Sequence, residues 1–236
     1  MIRRWGAEAL GTCLLLTAIV GSGMMGTSLS QDLGVVLIIN VIGTVLALAV
    51  LIWTLGPTSG AHFNPAVTLV AAFRREVNPG EAVGYVCAQV VGALVGVGLA
   101  NLMYSHAWWE VSSNTRSGAG LLLGEVIATA GLLWVIGMLT RTGRGHLGPL
   151  LVPAWIAAAF VFTSSTSFAN PAVTIGRMFT DSFTGISPSD VLPFVLAQLV
   201  GAALGAALTE VFYPRSQPEP LDLPEPVHSI KEKPHD

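Results

Sequence analysis

SGAHFNPAVTL, residues Ser59 to Leu69, returns in altered form as TSFANPAVTI, residues Thr166 to Ile175. In both copies Asn-Pro-Ala-Val-Thr follows a loop of small and polar residues. The side chain of Asn64 or Asn170 is suited to cap a helix whose first residue is Pro65 or Pro171, where a missing N–H costs nothing. The first of these helices is expected to run from Pro65 to about Phe73, before Arg74 and Arg75, and the second from Pro171 to about Thr180, before Asp181. At 1.5 Å per residue each reaches roughly 14 Å, half of an apolar slab about 30 Å thick. Two such half-helices starting at the midplane and running to opposite surfaces would together make one span.

The rest of the chain supplies the slab. Its 236 residues are 52% hydrophobic and only 11% charged, and the mean hydropathy is +0.67. That composition excludes an ordinary soluble domain and indicates an integral membrane protein. Cys13 and Cys87 both lie in apolar runs, which argues against a disulfide framework. The net charge of −3 says little, because in a membrane the placement of charge outweighs its sum.

Six full spans are expected. Arg3 and Arg4 before an apolar run imitate a secretory signal, but the run contains Glu8, continues to about Thr27 and has no clear cleavage site, so it reads as the first span. Leu33 to about Leu55 is the second, ended by Gly56-Pro57. Glu81 to Tyr104 is the third, with Gly92, Gly96 and Gly98 spaced for close helix approach. Ser105 to Ser117, with Trp108 and Trp109, reads as an interfacial loop. Gly120 to about Thr140, Leu147 to about Thr163, and Pro188 to about Tyr213 complete the set. The segment from Arg215 to Asp236, rich in Pro, Glu, Asp and Lys, has the composition of a disordered tail. With the N-terminus in the cytoplasm, alternate loops place Arg3, Arg4, Arg74, Arg75, Arg141, Arg144, Arg215, Lys231 and Lys233 inside, and the C-terminus lies there too.

Aligning the two Asn-Pro-Ala copies aligns their flanks. Ala88-Gln89-Val90-Val91-Gly92-Ala93 matches Ala197-Gln198-Leu199-Val200-Gly201-Ala202, and Ala7-Glu8-Ala9-Leu10 matches Gly124-Glu125-Val126-Ile127. Each half, about 1–104 and about 118–214, carries three full spans, so the second enters the membrane inverted and the half-helices come from opposite faces.

The paired Asn-Pro-Ala motifs, the early Glu of each half and the Ala-Gln-x-x-Gly-Ala runs resemble the aquaporin, or major intrinsic protein, family over Trp5 to Tyr213. The resemblance implies an all-α membrane fold of six transmembrane helices and two re-entrant half-helices. It also implies a channel domain over 1–214 and a homotetramer in the cell membrane. The run NPAVTIGRMFTDSFTGI, from Asn170 to Ile186, looks like members associated with bacterial arsenic resistance, which implies neutral arsenous acid beside water and glycerol.

Non-helical backbone at membrane depth implies a wet passage beside it. Carbonyls of Gly60, Ala61 and His62, and of Ser165, Thr166 and Ser167, are candidates to line it; Asn64 and Asn170 with Ala66 and Ala172 mark its centre. Glu8 and Glu125 are costly in lipid unless bonded. They read as anchors for loop N–H groups, as in the family, or alternatively as a proton-coupling site. His62 faces the pore or packs the loop. Where most members carry Arg after the second motif this chain has Val173, and family spacing puts the other filter positions at Thr44, Ala158 and Ser167. Four small residues predict a wide filter for neutral polyhydroxyl solutes. Arg177, one turn beyond Val173, either replaces the missing Arg at the outer mouth or caps the half-helix. The histidines and cysteines show no ligand spacing, so no metal or cofactor is expected, nor a nucleic-acid partner. Expected contacts are water, small neutral solutes and lipid. The rival class is a coupled secondary transporter, whose midplane site usually holds an acid; an enzyme lacks any motif here.

Overall fold

A computed structural model describes residues 1–215; the tail that the sequence reads as disordered lies, from 216 on, outside the described residues. Eight α-helices follow in order: α1 (Ile2–Leu29), α2 (Leu33–Ser59), α3 (Pro65–Phe73), α4 (Pro79–Met103), α5 (Ala119–Arg141), α6 (Gly148–Phe162), α7 (Pro171–Arg177) and α8 (Pro188–Phe212). A 3-10 turn, Gly145–Leu147, precedes α6. Six are long and apolar enough to cross a membrane, α6 together with its 3-10 turn, and α3 and α7 are the half-helices. The six crossings bring Arg215 back to the face where the chain begins, the terminal face, and its guanidinium lies 3.5 Å from the Arg74 carbonyl there.

Two boundaries and one loop differ from the sequence expectation. Helix α2 continues through Gly56-Pro57 to Ser59, because a proline in the last turn removes one hydrogen bond without stopping the helix. The stop is Gly60, which takes φ +90 and donates its N–H to the Gly56 carbonyl, a left-handed cap that glycine adopts without strain. Helix α7 ends at Arg177, not near Thr180, and so spans roughly 10 Å. Beyond it Thr180 to Gly185 turns back, and the Ile186 N–H donates to the Arg177 carbonyl. The loop 105–118, expected to be merely interfacial, folds over the end of α7. Glu110 N–H donates to Phe179 O and Ser112 N–H to Met178 O. Trp108 covers Gly98, where a Cβ would stand 2.4 Å from the indole.

Packing is duplicated as the sequence is. Helix α1 lies against α4 and α5 against α8 at a separation only glycine permits. A Cβ at Gly92 would stand 2.2 Å from the Ala9 carbonyl oxygen, at Gly96 2.2 Å from that of Cys13, and at Gly205 2.2 Å from that of Ala130. Backbone this close gains dispersion contact that lipid tails cannot supply. Outward, the helices expose Leu46, Val50, Trp53, Leu150, Val161 and Phe212 among many apolar side chains, the surface of a protein solvated by hydrocarbon.

Gly96→Ala or Gly205→Ala is therefore expected to force a helix pair apart. The cost should be about 1–3 kcal/mol, read as a lower melting temperature in detergent.

Candidate functional site

The two re-entrant loops are held in unusual backbone. Ala61, Phe63, Thr166, Ser167 and Ala169 have positive φ between 47 and 60 degrees, a region disfavoured for residues with a Cβ. Buried carboxylates hold them there. Glu8, fully buried on α1, accepts from Ser59 Oγ (2.6 Å), His62 N (3.0 Å), Phe63 N (2.7 Å) and Gln89 Nε2 (2.8 Å). Glu125 on α5 accepts from Phe168 N (2.9 Å), Ala169 N (2.9 Å) and Gln198 Nε2 (2.7 Å). The two glutamines also donate to Thr68 and Thr174 of the half-helices, at 2.9 and 2.8 Å. Each carboxylate thus ties a full span, a loop and the third span of its half into one knot.

At the centre the halves interlock. Asn64 Oδ1 accepts from Ala66 N (2.9 Å), and Asn170 Oδ1 from Ala172 N (2.9 Å) and Val173 N (3.3 Å), so both asparagines cap as their sequence predicts. Asn64 Nδ2 then donates to Ala169 O and Asn170 Nδ2 to Phe63 O, both at 2.8 Å. One amide hydrogen of each asparagine is used across the dyad. The second remains for whatever fills the adjoining cavity, which both side chains line.

That cavity has a volume of about 290 Å³, and its wall runs from Arg74, Glu76 and Thr140 near the terminal face to Thr44, Val173 and Arg177 beyond the asparagines. Its lining combines loop residues Gly60, Ala61, His62, Ser167 and Ala169 with the apolar residues Leu15, Ile19, Leu48, Leu132, Ile136 and Ile156 of the full spans. His62 serves both readings the sequence left open, lining the cavity while Nδ1 lies 3.1 Å from Thr68 Oγ1 and its ring meets Tyr85 edge-on.

Thr44 and Ser167, each 2% exposed, belong to the cavity wall; their hydroxyl oxygens are buried and have no hydrogen-bond partner among the described residues. Arg177, also 2% exposed and on the wall, donates Nε to the Thr184 carbonyl and stacks its guanidinium 3.4 Å from the centre of the Phe168 ring. Its terminal nitrogens have no protein acceptor among the described residues, which leaves a cation facing the cavity one turn beyond Val173.

Residues 1–169 match the sequence model of the family described as Major intrinsic protein. The chain is 46% identical over 208 residues to the aquaglyceroporin AqpS of Rhizobium meliloti (strain 1021), covering 88% of this chain and 89% of that one. It is 30% identical to the glycerol uptake facilitator protein of Bacillus subtilis (strain 168), covering 89% and 82%. The chain belongs to the major intrinsic protein family. The fold agrees with the X-ray structure of the aquaglyceroporin from Plasmodium falciparum, at a TM-score of 0.67 and 23% identity over 90% of this chain and 95% of that one.

Within this major intrinsic protein architecture some expected positions are displaced. Ala158 does not line the cavity: it is exposed on the outer side of α6. The lining face of α6 is Gly148, Val152, Ile156 and Phe160, and Ala158 lies two residues, about 200°, from Ile156 and from Phe160. Spacing from the motif does not carry across the turn at Thr163 to Ser165, which sets how α6 faces the loop. The four-residue period of that face was the available signal, and it picks out Phe160. Ser165 and Thr166 also leave the lining. Ser165 Oγ turns inward to accept from Ser167 N at 3.2 Å and packs on Gly124, while Thr166 N–H closes a turn on Thr163 O. Phe63 and Ala169 line the cavity in addition to the residues the sequence singled out.

Glu8→Ala or Glu125→Ala leaves buried loop N–H groups without an acceptor, at about 1–3 kcal/mol each. Low folded yield is the expected outcome, with Glu8→Gln intermediate, measured as monodisperse protein recovered per gram of membrane.

Proposed function

We infer that the chain is a passive channel for water and small neutral solutes such as glycerol, and not an enzyme. The carrying observation is the pair of capped half-helices whose asparagines, Asn64 and Asn170, each spend one amide hydrogen on the other loop and keep the second beside a cavity otherwise lined largely by apolar side chains. A buried amide hydrogen without a partner costs stability, so it is tolerable where a passing solute or water supplies the bond. A polyol offers both hydroxyls and C–H, which suits a lining that mixes loop and asparagine polar groups with apolar side chains. Glycerol and neutral arsenous acid are the solutes we assign, the second resting on the sequence likeness of Asn170 to Ile186.

We take Thr44, Phe160, Ser167 and Val173 as the narrow part of the pore, with Arg177 at its outer mouth. Replacing Ala158 by Phe160 in that set makes the opening less wide than four small residues would. This favours a strict water channel as the second reading. The coupled-transporter reading loses ground for a different reason. Its acids would be Glu8 and Glu125, whose oxygens already accept three or four bonds each from loop and glutamine donors. Both glutamates act as structural anchors. The Asn-Pro-Ala pair, Asn64, Pro65, Ala66, Asn170, Pro171 and Ala172, supplies the central donors, and the opposed half-helix dipoles set an electrostatic barrier to protons and cations.

The terminal face carries Arg3, Arg4, Arg74, Arg75, Arg141 and Arg144, against Arg116 and Arg177 on the other side, and we assign it to the cytoplasm. The channel unit is residues 1–214, in the plasma membrane, and it assembles as a homotetramer through its exposed apolar faces.

Stopped-flow measurements on proteoliposomes test the reading. The unaltered protein is expected to pass glycerol or arsenite as well as water. Val173→Arg should cut solute flux far more than water flux, because a long cation would cross the opening, and Phe160→Ala should raise it. Rapid water flux with neither solute admitted decides for the strict water channel. In the same vesicles, Asn64→Asp combined with Asn170→Asp should admit protons, since it replaces two central donors by negative acceptors. A proton leak already present in the unaltered protein and equal to that of the double variant refutes the barrier.

A further inference from the structure

Arg116 sits in the loop 105–118 that folds over the end of α7. It lies half-buried on the loop between α4 and α5, 61 residues before Arg177 in the chain, yet the two side chains grip the same short segment. Arg116 Nη2 donates to Phe183 O (3.0 Å) and Nε to Gly185 O (2.8 Å), while Arg177 Nε donates to Thr184 O between them. Three consecutive carbonyls are held by two guanidiniums. The same cations share one ring: the Arg177 guanidinium carbon is 3.4 Å, and that of Arg116 5.0 Å, from the centre of Phe168.

Phe168 is itself fixed. It is 4% exposed, its N–H donates to Glu125, and it follows Ser167 of the cavity wall. Arg116 is fixed at its backbone as well, where its N–H donates to Asp190 Oδ2 at 2.7 Å. Neither guanidinium has a carboxylate within 4.0 Å among the described residues. Like charges this near each other repel, so the arrangement persists only because carbonyl dipoles and the ring face hold both cations.

We propose that Arg116 is a positioning residue for solute selection: by clamping Phe183 and Gly185 it presents the Thr184 carbonyl and the Phe168 face that hold Arg177 against the wall of the mouth. The inference rests on the reading of Arg177 as part of the outer mouth. A guanidinium is needed at 116 because its planar fork reaches two carbonyls two residues apart, whereas an ammonium acts as a point charge. Without the clamp Arg177 loses its seat and sweeps the opening, which obstructs glycerol more than water.

The ratio of glycerol flux to water flux in proteoliposomes tests this, because it does not depend on how many channels fold. Arg116→Gln is expected to lower the ratio severalfold, Arg177→Ala to raise it, and the double variant to show the ratio of Arg177→Ala alone. Arg116→Lys, which keeps charge and stem, should behave like Arg116→Gln and serves if that variant folds poorly. An unchanged ratio in either Arg116 variant, or a fall that persists in the Arg177→Ala background, overturns the proposal while leaving Arg177 at the mouth. An unchanged ratio in Arg177→Ala alone instead refutes that reading of Arg177, and the clamp with it.

Discussion

Everything in this structure depends on two carboxylates that would be ruinous in hydrocarbon without their partners. A charge buried at membrane depth costs several kcal/mol even after relaxation, and each hydrogen bond donated to it returns roughly 1.5–3. Glu8 has four such donors and Glu125 three. The donors are the N–H groups of loops whose residues sit at positive φ, so the carboxylates also hold strained backbone in place. Because the loop N–H groups point at glutamate, the cavity side of each loop is left to carbonyls and asparagine amides. The polarity of the pore wall follows from the anchoring.

The duplication then solves a closure problem. A half-helix ending at the midplane would strand its first N–H groups in lipid, but here each asparagine caps its own helix and donates to the other loop's carbonyl. Each half completes what the other leaves open. The two halves diverge at the ends of their half-helices: α3 is nine residues and ends at the terminal face, whereas α7 is seven, with Arg177 turned into the wall and the loop 105–118 folded over its end.

Much of this was legible beforehand, and for physical reasons. Six spans, two half-helices, the asparagine caps and the glutamate anchors all follow from local rules: apolar run length, cap chemistry and the intolerance of hydrocarbon for unbonded polar groups. What was not legible depends on how one element is rotated against another. Spacing from the motif points to Ala158, but the turn between α6 and the loop breaks that spacing, and Phe160 lies two residues away on the opposite face. Gly56-Pro57 looked like a stop, yet a proline in a last turn costs one bond and the true stop was the left-handed Gly60. Arg116 carried no signal at all, because its partners are carbonyls 67 and 69 residues distant.

The absence of arginine at position 173 takes its meaning from that last group. A cation at the mouth of such a channel has two tasks, to donate bonds to solute and to oppose entering cations, and only the first requires it to stand in the narrowest section. Val173, which we assign to that section, is hydrocarbon, while Arg177 stands one turn farther along the same face with its Nε committed to Thr184 and its terminal nitrogens toward the cavity. Electrostatic opposition survives such a shift, since an unscreened charge in low dielectric acts over several ångströms. Steric closure does not, because a side chain stacked 3.4 Å over Phe168 lies along the wall. On the proposed reading, moving the arginine outward by one turn separates exclusion by charge from exclusion by size, and leaves the size limit to the proposed narrow part at Thr44, Phe160, Ser167 and Val173.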